Sequence, residues 1–208
     1  MKSSKPRARR LSSDAGVDDE HVAVVAETTR WLERAVIGLN LCPFAKAVHV
    51  KGQIRYVVCP ADNEAALLAA LAGELQALAV VDPDVTDTVL LIHPNVLTDF
   101  PDYNDFLDVA DAVLVELGLQ GEIQIASFHP QYQFAGTEPD DISNYTNRSP
   151  YPTLHLLREA SVTRAVAAFP EARDIFEKNI ETMTRLGRAG WEILKAPQQF
   201  PLRKIAKH

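Results

Sequence analysis

Residues 88–94 read TVLLIHP, an apolar run that ends in a histidine and a proline, and this pattern decides the fold because it recurs. Residues 54–60 read IRYVVCP, and residues 123–130 read IQIASFHP. Short runs rich in β-branched and apolar residues predict strands. A proline ends a strand because it has no backbone N–H for the ladder. The three runs therefore predict three strands that end in the same way.

The segments between these strands have the spacing of helices. Asp62 or Asn63 is a candidate N-cap for a helix that runs to about residue 78. Residues 102–117 place their apolar side chains on one stripe, which predicts a second helix. The order strand, helix, strand, helix, strand is typical of a parallel sheet with right-handed crossovers. We therefore predict an α/β fold with a small, mostly parallel sheet of three core strands.

Further helices and a possible antiparallel edge strand complete the predicted fold. Residues 21–39 have apolar side chains at spacings of three and four, and residues 153–169 and 171–186 also predict helices. About five helices therefore pack on the sheet. Residues 47–50 precede a turn and predict the antiparallel edge strand.

The predicted domain has loose ends. Residues 1–19 are polar and highly charged without periodicity, which predicts a disordered N-terminal arm. Residues 196–208 contain two prolines and are predicted to form a C-terminal tail. Between them, residues 20–195 are predicted to form a single α/β domain, which suits a chain of 208 residues.

Charge is distributed unevenly along the chain. The net charge is −7, but the first ten and last six residues are basic, and residues 11–202 carry 13 basic against 28 acidic residues. No Lys or Arg lies between Arg55 and Arg148, a stretch with 16 acidic residues. An acidic body repels the phosphate backbone of nucleic acids. We therefore expect no nucleic-acid partner.

Membrane insertion and export are not expected either. No run approaches 18 consecutive apolar residues, so the sequence predicts no membrane-spanning helix and no membrane partner. The pair Arg9-Arg10 is followed by polar residues where an export signal needs an apolar run. We expect a cytoplasmic protein in which Cys42 and Cys59 stay reduced. Two cysteines are too few for a disulfide scaffold or a four-thiolate zinc site.

Three reactive side chains follow the predicted strands: Cys59, His93 and His129. The carboxyl ends of parallel strands share one edge of a sheet, where α/β proteins bind ligands. His129 and His93 are candidate catalytic residues, because imidazole is a general base near neutral pH. Together with His155 they are also candidate ligands for a divalent transition metal such as zinc, the candidate cofactor. The alternative for Cys59 is a small buried hydrophobic residue.

Cys42 is a third candidate catalytic residue. It lies in the segment NLCPFAK at residues 40–46, four residues before Lys46. A nearby ammonium group lowers the pKa of a thiol, and the resulting thiolate is a nucleophile or a metal ligand. The alternative is a buried cysteine within an apolar turn, anchored by Leu41 and Phe44.

A long loop at residues 130–152 follows His129 and is expected to cover the crevice at the sheet edge. Asn147, Arg148 and Ser149 precede the predicted helix at 153–169, and free N–H groups at a helix start bind anions. Together with two further polar or aromatic side chains they form the candidate substrate-binding set for a small anionic molecule: Tyr145, Asn147, Arg148, Ser149 and Arg158.

Each of the two arginines in this set has a structural alternative. Arg148 is the first cation after a long acidic stretch, so it is also suited to neutralise Asp140 or Asp141. Arg158 is also suited to pair with Glu159 or a neighbouring helix. The carboxylates of Asp102, Asp105 and Asp108 are expected to form a solvated helix face.

Four stretches of the chain resemble one known family. They are residues 40–46 (NLCPFAK), 102–108 (DYNDFLD), 124–137 (QIASFHPQYQFAGT) and 141–159 (DISNYTNRSPYPTLHLLRE). The family is found in bacteria and plastid-bearing eukaryotes and is catalogued as domain of unknown function number 1415. The resemblance covers roughly residues 20–195. It implies a single domain, and it implies no activity, cofactor or catalytic residue.

The residues favour an enzyme, a hydrolase or a transferase, that acts on a small anionic metabolite at a His/Cys site on the carboxyl edge of the sheet. The alternatives are a non-catalytic acidic binding module, whose protein partner the sequence does not identify, and a metal carrier or sensor. No P-loop, dinucleotide fingerprint, nucleophile elbow or HExxH pattern is present.

Overall fold

The computed structural model describes residues 14–168 and 175–196, with side chains from residue 19 onward. The strands are β1 (Ile54–Val58), β2 (Thr88–Ile92), β3 (Ile123–Phe128) and β4 (Thr153–Arg158). The α-helices are α1 (Asp14–Trp31), α2 (Ala45–Val50), α3 (Glu64–Val80), α4 (Phe100–Glu116), α5 (Glu159–Ala168) and α6 (Ile175–Lys195). A π-helical segment, Leu32–Ile37, continues α1, and a 3-10 helix, Ile142–Asn147, lies in the long loop.

The four strands form one mixed sheet in the order β1-β2-β4-β3. β1 and β2 are parallel, whereas β4 is antiparallel to both of its neighbours, β2 and β3. The α/β class and the three predicted strands are thereby confirmed. The mostly parallel arrangement is confirmed only in part, because the antiparallel strand is central and not at an edge.

Strand β4 replaces the start of a predicted helix. Residues 153–158, TLHLLR, suit a helix by composition, but the chain pairs them on both sides, with His155 opposite Leu90 of β2 and Ala126 of β3. Two ladders outweigh a weak local propensity. The prediction of a helix over 153–169 was therefore wrong for its first six residues, and α5 begins only at Glu159. The predicted edge strand at 47–50 was also wrong, since those residues lie in α2.

The helix boundaries agree with the sequence in some places and differ in others. Asn63 caps α3, its Oδ1 accepting a hydrogen bond from the backbone N–H of Ala66 at 2.9 Å. Helix α1 begins at Asp14, inside the predicted disordered arm, while residues 1–13 lie outside the described residues. Helix α6 runs from residue 175 to 195 with a kink at Gly187, whose φ of 65° is not helical. Residues 169–174 and 197–208, including nearly all of the predicted tail, lie outside the described residues.

The sheet is covered on both faces. Helices α3 and α4 cover one face, called here the α3/α4 face, with Leu67, Leu71 and Phe106 packed on Leu91 and Leu154. Helix α1 and its π-helical continuation lie over the other face, called here the α1 face. The side chains that this second layer contacts include Leu90, Ile92, Ile54, Tyr56 and Phe128.

Tyr103 of α4 ties the helix to two strands. Its hydroxyl donates to the carbonyl of Thr153 at 2.9 Å and accepts the backbone N–H of Phe128 at 3.2 Å. The predicted solvated face of the same helix is confirmed, because Asp102, Asp105 and Asp108 are exposed. Among the described residues, no helix is both long enough and apolar enough to cross a membrane.

Candidate functional site

The histidines at the carboxyl edge of the sheet lie together in the core. His93 and His129 are fully buried, and both rings contact the ring of Tyr103, with centroid distances of 5.8 Å and 5.1 Å. Cys59 is buried in the same apolar core on the α3/α4 face. These three residues therefore share the predicted face and edge, but within packed core. Cys59 is therefore the small buried hydrophobic residue that the sequence allowed as the alternative to a reactive thiol.

Hydrogen bonds determine the tautomers of both rings. His93 Nδ1 lies 2.9 Å from the carbonyl oxygen of Val96, so Nδ1 carries the proton, and the buried Nε2 has no partner. His129 donates through Nε2 to the carbonyl of Leu97 at 3.2 Å and accepts the N–H of Gln131 at Nδ1. Both nitrogens of His129 are therefore occupied within the protein.

Both buried imidazoles are neutral at neutral pH. Burial lowers the pKa of His93 to about 4, because the charged form loses its hydration. Burial also lowers the pKa of His129, against a smaller opposing effect of its hydrogen bond to Leu97. Two neutral rings packed against Tyr103 are well suited to fill and order the core.

The predicted metal set is not brought together. Residues alternate between the two faces of β4, so Leu154 and Leu156 face α3 and α4 while His155 lies on the α1 face. His155 is thus separated by the sheet from His93 and His129. Within residues 19–168 and 175–196, no three His, Cys, Asp or Glu side chains form a group that could hold a metal ion.

Arg148 binds groups of the long loop and does not lie at a helix start. Its Nη2 donates to the backbone carbonyl of Pro139 at 2.6 Å, and its Nε donates to the backbone carbonyl of Tyr132 at 3.2 Å. Its guanidinium lies 4.1 Å from the ring centroid of Tyr145. The predicted helix start after Ser149 is absent, because β4 begins at residue 153. Asp140 pairs instead with Arg188 at 2.7 Å.

The neighbouring candidates for substrate binding also hold the loop. Asn147 donates through Nδ2 to the carbonyl of Ser127 at 3.1 Å, and Ser149 donates to the carbonyl of Tyr151 at 2.6 Å. The ring of Tyr145 packs edge-on against Trp191 of α6. All three side chains contact the protein itself.

Asn144 is the centre of this loop, and no sequence pattern distinguishes it from its polar neighbours. It is fully buried. Its Oδ1 accepts from the N–H of Phe134 and the hydroxyl of Thr137, and its Nδ2 donates to the carbonyl of Glu138 at 2.9 Å. The long loop is therefore ordered around one amide.

Arg158 stabilises the end of a helix. Its Nη2 donates to the carbonyls of Leu78 and Val81, each at 2.6 Å, where α3 ends. Cations favour helix C-termini, where carbonyl groups lack partners inside the helix. This contact gives Arg158 a structural role that needs no ligand.

A groove of about 530 Å³ lies on the α1 face of the sheet. No sequence pattern predicts this groove, because it exists only once β4 pairs between β2 and β3. Most of the side chains that line it are apolar. The apolar part of the floor is formed by Leu90, Ala126, Phe128 and Leu157, and the walls include Trp31, Leu32, Val36, Pro43, Phe44, Ala45, Ala47, Val48, Val162 and Ala165.

His155 lies in the floor of this groove and is half-buried. Its Nε2 is 2.7 Å from the hydroxyl of Thr88, which itself donates to the carbonyl of Leu156 at 2.6 Å. The Thr88 proton is thereby used, so Nε2 is the donor and Nδ1 is an acceptor. Nδ1 has no partner among the described residues. Burial lowers the pKa of His155 to about 4, so the ring is neutral.

Cys42 lines the same groove, apart from the two buried histidines. The structure therefore places the predicted catalytic thiol with His155 and not with His93 and His129. Burial raises the pKa of the Cys42 thiol, and hydrogen bonds from the backbone N–H groups of Phe44 and Ala45 oppose this effect less strongly. This direction is the reverse of the lowering that we expected from Lys46.

Charged and polar side chains line one end of the groove, called here the mouth. Its members come from the segments before β1 and β2 and from the start of α5, and they are Lys51, Asp84, Asp87, Ser161 and Arg164. Ser161 donates to Asp87 at 2.5 Å and accepts from Arg164 Nη2 at 2.9 Å. The mouth thus lies at the amino ends of β1 and β2, opposite to the edge predicted from sequence.

Comparison with known proteins gives one match. A family model described as "Protein of unknown function (DUF1415)" matches residues 23–193. No curated protein and no solved structure matches.

Proposed function

The chain belongs to the DUF1415 family, whose description assigns no activity, and we propose that it binds a small, mostly apolar molecule in the groove on the α1 face. The observation that carries this proposal is the free Nδ1 of His155 in an apolar floor. No described residue uses this acceptor, and a hydrogen bond typically contributes about 0.5–1.5 kcal/mol net. A ligand that donates a hydrogen bond to Nδ1 gains this contribution.

The size and lining of the groove support the same proposal. Binding sites for small molecules have volumes of roughly 300–1,000 Å³ and are mostly apolar, with a few polar groups that orient the ligand. The groove has about 530 Å³ and places His155 and Cys42 among apolar side chains. The proposed ligand therefore has an apolar body and one donor group, such as a hydroxyl.

We favour binding over catalysis because the reactive side chains that line the groove are in unreactive forms. The raised pKa of Cys42 keeps its thiol protonated near neutral pH. With a pKa of about 4, His155 is a weak base. The proposal thus follows the non-catalytic alternative from the sequence, with a small molecule as the partner. The hydrolase or transferase at the carboxyl edge loses support because its histidines are core residues.

A cytoplasmic location is part of the proposal. Cys42 and Cys59 are both free thiols, and they lie on opposite faces of the sheet, so they are not placed to form a disulfide with each other. Unpaired thiols are compatible with a reducing compartment.

The proposal is tested with a matched pair of probes. 1-Naphthol donates a hydrogen bond, whereas 1-methoxynaphthalene has the same ring system without a donor. We expect the unaltered protein to bind 1-naphthol more tightly, by roughly 3- to 10-fold, as one hydrogen bond contributes. Calorimetric titration measures both affinities.

Two variants show whether His155 is responsible. In His155→Leu the preference for 1-naphthol is expected to disappear, because leucine fills the floor without an acceptor. His21→Gln, in α1, is the control and is expected to keep the preference. The proposal is contradicted if neither probe shows saturable binding. It is also contradicted if a folded His155→Leu variant keeps the preference for 1-naphthol.

A further inference from the structure

We propose that the ligand of the groove is an amphiphilic anion, whose apolar body and single donor group lie on the floor and whose anionic group lies at the mouth between Lys51 and Arg164. The inference rests on the proposed function and names the class of its ligand. It starts from the separation of apolar and charged side chains within one groove. A neutral apolar ligand has no need of a charged mouth.

Cations are scarce in this chain, yet several line the groove. Residues 11–202 carry 13 basic and 28 acidic residues, and no Lys or Arg lies between Arg55 and Arg148. Lys51, Arg158 and Arg164 nevertheless line this one groove. In an acidic body, a local group of three cations favours an anionic ligand.

Two of these cations retain capacity for a ligand. The exposed ammonium of Lys51 has no ion-pair or hydrogen-bond partner among residues 19–168 and 175–196. Arg164 is also exposed and donates only to the hydroxyl of Ser161 within those residues. Arg158 differs, because its Nη2 is held by carbonyl groups at the end of α3.

The carboxylates at the mouth do not cancel this capacity. Asp87 accepts the hydroxyl of Ser161, and this directs the lone pairs of Ser161 towards Arg164. Asp87 therefore positions Arg164 through Ser161 and does not pair with it directly. Asp84 is exposed, and its backbone carbonyl accepts from Gln53. Over the whole lining of the groove, three cations (Lys51, Arg158 and Arg164) and two carboxylates (Asp84 and Asp87) leave one positive charge in excess.

The chemistry of the two free cations fits a carboxylate or another small oxyanion. A guanidinium forms strong, charge-assisted hydrogen bonds with oxyanions, often through two N–H groups at once. The ammonium of Lys51 adds a point charge. A chain or ring system attached to the anion then extends over Leu90 and Ala126 towards the aromatic side chains of Phe128 and Trp31.

Three probes that share one apolar chain test this inference: decanoate, 1-decanol and decyltrimethylammonium, each below its micelle concentration. We expect the full chain to bind decanoate about tenfold more tightly than 1-decanol at low salt. This preference is expected to shrink as the salt concentration rises, because the mouth is exposed. Calorimetric titration gives the affinities, and the shifts of groove amides in NMR spectra locate the site.

Three variants test the two cations. Arg164→Gln and Lys51→Gln are each expected to reduce the preference for decanoate and to leave the affinity for 1-decanol unchanged. Arg188→Gln is the matched control, since Arg188 is an exposed arginine on α6 that pairs with Asp140 outside the groove. It is expected to keep the full preference.

The outcomes separate this inference from the proposed function. If 1-decanol binds as tightly as decanoate, or if decyltrimethylammonium binds best, the anionic ligand is wrong and the apolar groove remains a binding site. If the preference persists in both Lys51→Gln and Arg164→Gln, the assignment of the mouth is wrong. If no probe shifts the groove amides, both proposals fail.

Discussion

The hydroxyl of Thr88 and the imidazole of His155 are fixed to each other at 2.7 Å between neighbouring strands of the sheet. Thr88 uses its only proton on the carbonyl of Leu156, so it accepts the proton of Nε2. One side chain on β2 thereby determines the tautomer of a ring on β4. The consequence is that Nδ1 of His155 is presented to the groove as an acceptor.

Replacing Thr88 by valine is expected to remove this control. Thr88→Val keeps the shape of the side chain but leaves the Nε2–H of His155 and the carbonyl of Leu156 without their partner. We expect a loss of about 1–3 kcal/mol in the free energy of unfolding, measured by urea denaturation. The ¹⁵N shifts of the imidazole are expected to show a changed tautomer mixture. Thr88→Ser, which keeps the hydroxyl, is the control, and a Thr88→Val protein with unaltered stability and shifts would refute the assignment.

Acid is expected to destabilise the protein through its buried histidines. In the folded state, His93 and His155 have pKa values of about 4, below the value of 6.5 in an unfolded chain. The unfolded state therefore binds more protons between these values, and the free energy of unfolding falls as the pH drops from about 7 to about 4. The slope is roughly 1.4 kcal/mol per pH unit for each histidine.

Urea denaturation at several pH values measures this slope. His93→Phe keeps an aromatic ring beside Tyr103 but does not titrate, so its stability is expected to depend less steeply on pH. His21→Gln is the control and is expected to keep the original slope. An equal slope in the His93→Phe variant would show that the fully buried His93 does not contribute to acid sensitivity.

Asn144 is expected to determine the order of the long loop. Asn144→Ala removes three hydrogen bonds and leaves the N–H of Phe134 and the carbonyl of Glu138 without that partner. We expect a loss of about 2–4 kcal/mol in stability and faster proteolysis within residues 130–152. Asn104→Ala, at an exposed position of α4, is expected to change neither. Equal proteolysis rates for the two variants would argue against a central role for Asn144.

Filling the groove is expected to block it. Ala126 lies in the floor beside His155, so Ala126→Phe places a ring where we propose that the ligand lies. We expect binding of 1-naphthol to weaken by at least about tenfold. Extra groups in a packed core typically lower the free energy of unfolding by about 1–3 kcal/mol, and we expect a smaller loss here because the added ring enters open space. Calorimetric titration and thermal denaturation measure the two effects. Ala112→Phe, at an exposed position of α4, is the control. A folded Ala126→Phe protein that binds 1-naphthol normally would place the site elsewhere.

The parts of the fold that depend on local pattern were predictable from the sequence. β1, β2 and β3 each have a β-branched or apolar run that ends before a proline or close to one, and α3 has its asparagine cap. These signals lie within the elements themselves. β4 differs, because TLHLLR is compatible with a helix and becomes a strand through its pairing with residues about 30 and 65 positions earlier.

The surroundings of the candidate site residues could not be predicted from the sequence for the same reason. The residues Cys42 and His155 were identified as chemically interesting, but the side chains near them depend on which face of the sheet each one occupies. In a strand, successive side chains point to opposite faces, so His155 lies on the α1 face and Leu154 and Leu156 lie on the other. A helix predicted at residue 155 does not lead to this assignment of faces. The arginines were likewise identified without their partners, since the carbonyl groups that hold Arg148 and Arg158 have no signature in sequence.

The central position of β4 has a consequence for synthesis on the ribosome. Until residues 153–158 leave the exit tunnel, β2 and β3 have no common neighbour, and each exposes a row of unpaired backbone groups. Of the four strands that the structure describes, the last to be translated is therefore the one that joins the two halves of the sheet. A nascent chain that stalls before this point has strands and helices but no closed core, and it is a natural substrate for chaperones.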